Sequence, residues 1–442
     1  MIKKMLSFFL KVMEKYLPNP FTIAWIITLF VAVMALIFTP TTPFGIVEDW
    51  GNGVFNLLSF AMQMSLMLIS GYALASSNVI QKYLKKLVRI PKTPKQTILF
   101  IALASMVLYY LNWGLGLIAG GLLAREAAKY HKDTDFRLIV TAAFSGIIIT
   151  HGGLSASVPL LINTPGHFAE KAIGLVPLTQ TIFGKQNLFI VAGLIIIIPL
   201  VCLLMMPKKG EEVVADPSLF AEDEIETSVE TTTNLTLADK LDKSIILNIT
   251  LWAMGLCFLV LYFMKKGFNL NINSVIIIFI VAGVLCHGSL IKYVEAFNKG
   301  TSTAGGIILQ FPFYAGIMGI MVGSGLVTLI SNWLLSVATA KTFELFCYFS
   351  SLIISIFVPS AGGHWAVQAP FMIPAASALG VEPWKVAMGV AWGESIWNVV
   401  CPFWALPLLA IAKIKIRDLI GYSVLLFIVG NIVAIAGIMI FQ

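Results

Sequence analysis

The segment from Ile98 to Ala124 constrains the fold most, because it is apolar yet has the wrong length for a membrane helix. A membrane helix needs roughly 20 apolar residues. The 27 residues of this segment, with Asn112-Trp113-Gly114-Leu115-Gly116 in the middle, are too many for one span and too few for two. Basic residues typical of cytoplasmic loops flank both ends, namely Lys82, Lys85, Lys86, Arg89, Lys92 and Lys95 before it and Arg125, Lys129, Lys132 and Arg137 after it. The pattern predicts a re-entrant helical hairpin with both ends on the cytoplasmic side.

The tip of this hairpin is a candidate binding site. Non-helical backbone near the membrane midplane leaves N–H and C=O groups unpaired, and it is tolerated only where it packs against protein or lines a wet cavity. We therefore expect the tip around Asn112 to face such a cavity.

Composition places the rest of the chain in the membrane as well. Of its 442 residues, 58% are hydrophobic and 12% are charged, and the mean hydropathy is +0.91, which predicts a polytopic all-α membrane protein. The net charge of +7 does not indicate a nucleic-acid partner, because its distribution follows the positive-inside rule. Only six of the 29 Lys and Arg residues fall outside in the predicted topology, namely Lys171, Lys185, Lys265, Lys266, Lys341 and Lys385.

The topology predicted for the cytoplasmic membrane has nine full spans, so that the N-terminus lies inside and the C-terminus outside. Residues 1–20 resemble an interfacial amphipathic helix rather than a signal peptide. Residues 207–243 hold ten of the 22 acidic residues and predict a solvated cytoplasmic linker. The predicted spans are Thr22 to Phe38, Phe55 to Ser76, Leu138 to Ile162, Leu188 to Met206, Ile245 to Met264, Ile272 to Cys286, Ala304 to Ile330, Val386 to Ile411 and Leu419 to Phe441.

The two halves of the chain have similar sequence patterns, offset by about 250 residues. The first repeat, 21–206, contains the hairpin 98–124 and a membrane helix, 138–162, that is broken by polar residues. After a connecting span at 244–264, the second repeat, 265–442, contains a hairpin at 346–378 and a broken helix at 386–411. One repeat begins inside and the other outside, so the repeats are inverted. This arrangement is typical of secondary transporters, which bind substrate near the midplane.

Several runs resemble the short-chain fatty acid transporter family, which includes bacterial uptake systems for acetoacetate and butyrate. These runs are NWGLGL, STAGGIILQFPFYAGIMG, VPSAGGHW, WGESIWN and CPFWALPLLAIA. The family is similar in turn to a wider group of hairpin-bearing ion transporters. The resemblance implies an elevator mechanism, in which a transport domain with two re-entrant hairpins and two broken helices moves against a homodimeric scaffold. A histidine at position 151 is not expected from the resemblance.

Every Lys and Arg can be assigned to a loop or a membrane edge, so an anionic substrate must be held in another way. Helix N-termini, free backbone N–H groups and short polar side chains at the hairpin tips and helix breaks can do this. Serine also bonds to its own helix and glycine also permits close packing, so each residue has a structural alternative. The predicted substrate-binding residues are Asn112, Trp113, Gly114, Gly152, Gly153, Ser155, Ser157, Ser360, Gly362, Gly363, His364, Trp365, Ser395 and Asn398.

Three ionisable side chains lie inside predicted membrane segments: His151, His364 and Glu394. Such residues are costly in the membrane and are functional by default. Glu394 is predicted to carry the coupling ion, either a transported H⁺ or a bound Na⁺, with a structural carboxyl as the alternative. Asn398, Ser157 and Asn112 are predicted to assist it. No other cofactor and no metal centre are expected.

An enzyme, a channel and a carrier are the three classes of function to distinguish. His151-Gly152-Gly153 and Gly153-Leu154-Ser155 resemble parts of a hydrolase site, but Ser157 stands where a nucleophile elbow needs glycine, and no preceding strand is predicted. A channel would lack gradient-driven accumulation. We therefore expect a carrier, not an enzyme, that moves short-chain monocarboxylates by cation symport. A carrier for another small organic anion or an amino acid is the alternative.

Overall fold

The computed structural model describes residues 18–216 and 236–442, and every regular element in these two ranges is a helix. Eight helical segments in these ranges are long and apolar enough, by length and composition, to cross a membrane, and a bent helix pair makes a ninth candidate. The predicted all-α polytopic class is thus confirmed. Nearly all of the predicted interfacial helix, and the middle of the predicted acidic linker, lie outside the described residues.

The helices of the first range begin with a long apolar helix and include two interrupted segments. In order they are α1 (Pro20–Phe38), α2 (Pro43–Gly53), α3 (Leu58–Ala75), α4 (Asn78–Leu87), α5 (Pro94–Leu111), α6 (Trp113–Tyr130), α7 (Phe136–Ser145), the 3₁₀ helix Gly146–Gly152, α8 (Ser157–Ile162), α9 (Glu170–Ile173) and α10 (Lys185–Leu204).

The second range contains ten helices. They are α11 (Leu237–Asp242), α12 (Ile245–Lys266), α13 (Ile272–His287), α14 (Leu290–Gly323), α15 (Leu326–Val337), α16 (Phe343–Ile354), α17 (Ala361–Ala378), α18 (Pro383–Asn398), α19 (Pro402–Ala412) and α20 (Ile416–Ile440).

The helices α5 and α6 form the first hairpin, with the extended residue Asn112 (φ −158°, ψ 127°) between them. Thr93 and Pro94 start the hairpin: the Thr93 hydroxyl accepts a hydrogen bond from the Gln96 amide, and Pro94 occupies the first helical position. Beyond its end, the His131 Nε2 atom lies 2.7 Å from the carbonyl oxygen of Val88, six residues before Pro94. The end of the first hairpin therefore lies beside its start.

The helices α16 and α17 form the second hairpin. Its beginning packs on the helix that follows it, since a Cβ atom added to Gly389 would lie 2.8 Å from the Glu344 carbonyl oxygen. The next helix is also interrupted, because α18 and α19 meet at a break with a bend of 42°. In the first half of the chain, a helix break follows the 3₁₀ turn at Gly146–Gly152.

The predicted span from Ala304 to Ile330 differs from the structure. The helix α14 is 34 residues long and ends at Gly323, and α15 starts afresh at Leu326. Gly325 has a φ of +80°, which glycine adopts without a steric penalty and which ends a right-handed helix. The predicted span at Ile272 to Cys286 exists as a helix of only 16 residues.

The helices pack as two groups. In the first group, which we name the panel, α14 packs against α1, α2 and α3, and α13 packs against α3. Glycine makes this packing close, because a Cβ atom on Gly319 would lie 2.4 Å from the Asp49 carbonyl oxygen. The second group, which we name the core unit, contains both hairpins, both broken helices, α10 and α20. Panel and core unit meet through α3 and α14.

We predict that both ends of each hairpin lie on one side of the membrane, with the first hairpin anchored inside and the second outside. In a background with Cys257 and Cys286 replaced by serine, Lys92→Cys and Lys132→Cys should react with an impermeant thiol reagent only from the cytoplasm. Lys341→Cys and Lys385→Cys should react only from outside. Labelling of Lys92→Cys and Lys132→Cys from opposite faces would show that the first hairpin crosses the membrane.

Candidate functional site

The hairpin tips and helix breaks meet at one cavity, whose empty volume of about 690 Å³ includes space open to solvent. Residues in the first turns of four helices line it: Trp113 of α6, Ser157 of α8, Ala361 of α17, and Phe403 with Trp404 of α19. Four interrupted segments, far apart in sequence, thus begin their helices at the same place.

The electrostatics of this cavity come from backbone and polar groups. None of the residues that line it in the described structure is Lys or Arg. The amides of Ala361 and Gly362 are at the first two positions of α17 and have no acceptor within that helix. Helix N-termini carry a partial positive charge, so the cavity suits an anion without a cationic side chain.

Two ionisable side chains, His151 and Glu394, lie side by side in the cavity wall. Their Nε2 and Oε2 atoms are 2.5 Å apart, and the two residues are 6% and 0% exposed. The Asn398 amide nitrogen donates to the same carboxylate oxygen at 2.8 Å. Glu394 Oε1 and Asn398 Oδ1 are buried and have no partner in the described structure. The carboxylate is therefore held on one side and unsatisfied on the other.

The Ser395 hydroxyl fixes His151 against α18. It donates to the Ile148 carbonyl oxygen at 2.9 Å and accepts from the His151 backbone N–H at 3.3 Å. The Ser157 hydroxyl lies 3.5 Å from His151 Nδ1, at the limit of a hydrogen bond. Ser395 thus acts through His151 and does not itself line the cavity.

Five of the fourteen predicted substrate-binding residues line the cavity, namely Trp113, Ser157, Ser360, Gly362 and Asn398. 

The predicted coupling group, Glu394, lines the cavity as well, so the cavity brings together six of the predicted residues. They come from both hairpins and both broken helices.

Asn112, Gly114 and Ser155 lie beside the cavity and fasten the first tip. The Asn112 carboxamide oxygen accepts from the Leu115 amide at 2.9 Å and so caps α6. The Ser155 hydroxyl accepts from the Trp113 amide at 2.9 Å, which ties the tip to the broken helix. Gly114 packs on the backbone of Leu68 in α3.

The remaining predicted residues also lie outside the lining. Gly152 and Gly153 allow close packing, and a Cβ atom on Gly153 would lie 2.5 Å from the Tyr110 carbonyl oxygen. Gly363 packs against Tyr314. The following two residues are fully buried: His364 bonds through Nδ1 to the Ser351 hydroxyl at 2.9 Å and through Nε2 to the Val358 carbonyl oxygen, and Trp365 is 0% exposed.

Sequence reasoning missed lining residues from the panel and from the helix ends. Gln310 and Phe311 of α14 and Met64 of α3 form the wall on the panel side. Gln310 accepts a hydrogen bond from the Tyr314 hydroxyl at 3.0 Å. A glutamine within the apolar second half of α14 was the available signal for it. The other unassigned lining residues are Tyr109, Leu117, Ile147, Thr150, Gly306, Ile307, Pro359, Ala361, Phe403 and Trp404.

Comparison with known protein families gives a match over nearly the whole chain. The model of the family described as "Short chain fatty acid transporter" matches residues 1–441. A protein of Escherichia coli (strain K12), provisionally named a short-chain fatty acid transporter, is 39% identical over 441 residues, covering 100% of both chains. A protein of Haemophilus influenzae with the same provisional name is 40% identical over 429 residues, covering 96% of both.

Two solved structures share the fold at low sequence identity. The YdaH transporter of Alcanivorax borkumensis superposes with a TM-score of 0.58 at 16% identity, over 95% of this chain and 98% of that one. MtrF of Neisseria gonorrhoeae, described among antimetabolite efflux pumps, gives 0.52 at 16% identity, over 98% and 97%.

We predict that the tip of the first hairpin depends on a glycine in α3. A Cβ atom on Gly71 would lie 2.3 Å from Asn112 Oδ1 and 2.7 Å from the Leu115 amide nitrogen. Gly71→Ala should therefore destabilise the protein by about 1–3 kcal/mol, as overpacking does. The measurement is the thermal unfolding midpoint of the purified protein.

Gly305→Ala in α14 is the matched control, because nothing lies within 4 Å of a Cβ atom there. An unfolding midpoint equal for Gly71→Ala and Gly305→Ala would contradict the close contact at the tip.

Proposed function

The chain belongs to the short-chain fatty acid transporter family, and we propose that it moves butyrate, acetoacetate and similar monocarboxylates across the cytoplasmic membrane by cation-coupled symport. The family and the curated relatives are transporters, not enzymes. The observation that carries the proposal is the convergence of four helix starts on one cavity without a cationic side chain.

The substrate carboxylate is assigned to the start of α17. There the amides of Ala361 and Gly362 point out of the first helical turn, and the Ser360 hydroxyl caps the same turn by accepting from Gly363 at 3.3 Å. Backbone amides at a helix start bind carboxylates without the free-energy cost of burying a Lys or Arg side chain. A short anion therefore has a place for its charge.

The acyl chain of the substrate is assigned to the apolar part of the same wall. Trp113 and Trp404 meet edge to face, with ring centroids 5.6 Å apart, and Phe311 closes the panel side. Aromatic walls with a few polar groups are usual in small-molecule sites. The combination suits a molecule with one carboxylate and a short apolar tail.

Coupling is assigned to Glu394. Its carboxylate is buried beside His151 and Asn398, and no Lys or Arg lines the same cavity in the described residues. A carboxylate that takes up a cation, H⁺ or Na⁺, compensates the charge of the substrate. The loaded site then crosses the low-dielectric barrier without a net negative charge.

The movement is proposed to be of the elevator type, with the panel as a dimeric scaffold and the core unit as the moving part. The helix order supports this division: long helix, short helix, hairpin and broken helix occur as α3 to α8 and again as α14 to α19. Each half contributes one long helix to the panel side of the cavity. Such pairs of halves are typical of inverted repeats.

A carrier for another small organic anion or an amino acid is the competing proposal. Competition distinguishes the two: acids with two to six carbons should inhibit uptake of labelled butyrate, whereas amino acids should not. Initial rates above those of protein-free vesicles are the measurement, because undissociated acids also diffuse through lipid.

We predict that Ser360→Ala weakens uptake by removing the hydroxyl that caps α17 at the cavity. The half-saturating butyrate concentration should rise several-fold, in line with the loss of roughly 1 kcal/mol for a lost cap or hydrogen bond. Ser336→Ala, at an exposed serine of α15, should transport as the wild type does. Equal half-saturation for all three proteins would place the carboxylate elsewhere.

We predict that Glu394→Gln abolishes accumulation driven by a cation gradient but leaves exchange of butyrate across the membrane intact. Glutamine keeps the size of the side chain and cannot release a proton or neutralise a bound cation. Proteoliposomes with imposed pH or Na⁺ gradients provide the measurement, and Glu382→Gln, at an exposed position, is the control. Normal accumulation by Glu394→Gln would make the carboxyl a structural group.

A further inference from the structure

We infer that the coupling ion is a proton, and that the buried pair His151 and Glu394 takes it up when the substrate anion binds. This inference rests on the proposed function and names the ion of the same site. Its evidence is the arrangement of donors and acceptors around the Glu394 carboxylate.

The Oε2 atom of Glu394 already has two nitrogen neighbours. His151 Nε2 lies at 2.5 Å and Asn398 Nδ2 at 2.8 Å. A nitrogen and an oxygen at 2.5 Å hold a proton between them, and both N–H groups direct positive charge at this oxygen. These N–H groups already offset the negative charge of Oε2, and they would repel a sodium ion at that atom.

The Oε1 atom is the free position of the pair. It is buried and without a partner, and the carboxamide oxygen of neighbouring Asn398 is also unsatisfied. Two buried acceptors without a donor are unfavourable. A proton on Oε1 turns this acceptor into a donor and leaves the His151 contact on Oε2 in place.

The charge balance gives one proton for each substrate. In the proposed empty site, each ring nitrogen of His151 carries one proton and Oε1 of Glu394 carries none, so that the two residues are neutral together. When a carboxylate binds, one proton from the same aqueous side adds to Oε1, so that the loaded site is again neutral. Both are released on the other side, and the empty pair returns unchanged.

Other titratable groups near the pair do not compete for this role. His364 of α17 has both ring nitrogens bonded, to Ser351 and Val358. The hydroxyl of Tyr109 in α5, the Cys401 thiol after α18 and the Tyr348 hydroxyl of α16 are neutral groups at physiological pH. Tyr348 donates to Asn431 of α20 at 2.9 Å. No Lys or Arg lines the cavity in the described chain.

The test measures the protons that accompany binding, so it avoids the passive diffusion of short acids. Butyrate is titrated into the purified full-length protein by calorimetry, in sodium-free buffers of different ionisation enthalpy. The wild type should take up about one proton per butyrate, and its dissociation constant should rise about tenfold per pH unit where the site starts deprotonated. Adding Na⁺ should leave the affinity unchanged, since an ion that is coupled to binding must alter it.

Two variants make the assignment specific. Glu394→Gln should bind butyrate with proton uptake near zero. Glu344→Gln should keep the proton uptake of the wild type, because Glu344 is equally buried but pairs with Gln186 at 2.7 Å outside the cavity. If Glu394→Gln does not give folded protein, His151→Asn is used in its place and should also lose proton uptake.

The outcomes separate this inference from the proposed function. Butyrate binding without proton uptake, or an affinity that rises with Na⁺, overturns the proton and leaves the transporter in place. Proton uptake that persists in both Glu394→Gln and His151→Asn overturns the assignment to the pair. An absence of butyrate binding by the wild type overturns the proposed function and the inference together.

Discussion

Backbone groups that cannot be satisfied inside a helix are the constraint on which this structure depends. Four helices start at one cavity, and the donors of their first turns need acceptors that water does not supply in a membrane. Asn112, Ser155 and Ser360 supply part of them from nearby side chains. The amides without an acceptor at the start of α17 create a positive potential that can stabilise an anion. The same geometry thus accounts for the stability of the tips and for the chemistry of the site.

The charge of the cavity is the second constraint, because the Glu394 carboxylate lies in its wall and the proposed substrate carries another carboxylate. A cationic side chain would hold an anion more tightly but would also have to be neutralised when the substrate leaves. Backbone dipoles avoid this, and they leave Glu394 with His151 as the ionisable pair of the cavity wall in the described residues. A pair that is neutral when empty can respond to the substrate by gaining a single charge.

Much of the architecture was predictable, because membrane burial imposes strong patterns on a sequence. The apolar stretch around Asn112 is too long for one span, and its basic flanks indicated the hairpin that α5 and α6 form. The end predicted for the span through Gly325 was wrong, because hydropathy does not indicate where the backbone adopts a positive φ. Similarly, Ser155 and Ser360 looked alike as polar residues at breaks. Only their partners distinguish a serine that ties two tips together from one at the cavity wall.

The sequence by itself determined the membrane-embedded all-α class, the transporter family and the polar breaks in the apolar helices, because composition, local periodicity and long motifs depend on neighbouring residues. The tertiary structure decided which of those breaks share a cavity and which side chains face it. His151 and Glu394 are 243 positions apart, and their contact depends on how the 3₁₀ turn packs on α18 through Ser395. The positions of Gln310 and Met64 in the cavity wall likewise depend on the packing of distant segments. Contacts between distant segments arise from packing, and no local pattern in a single sequence specifies them.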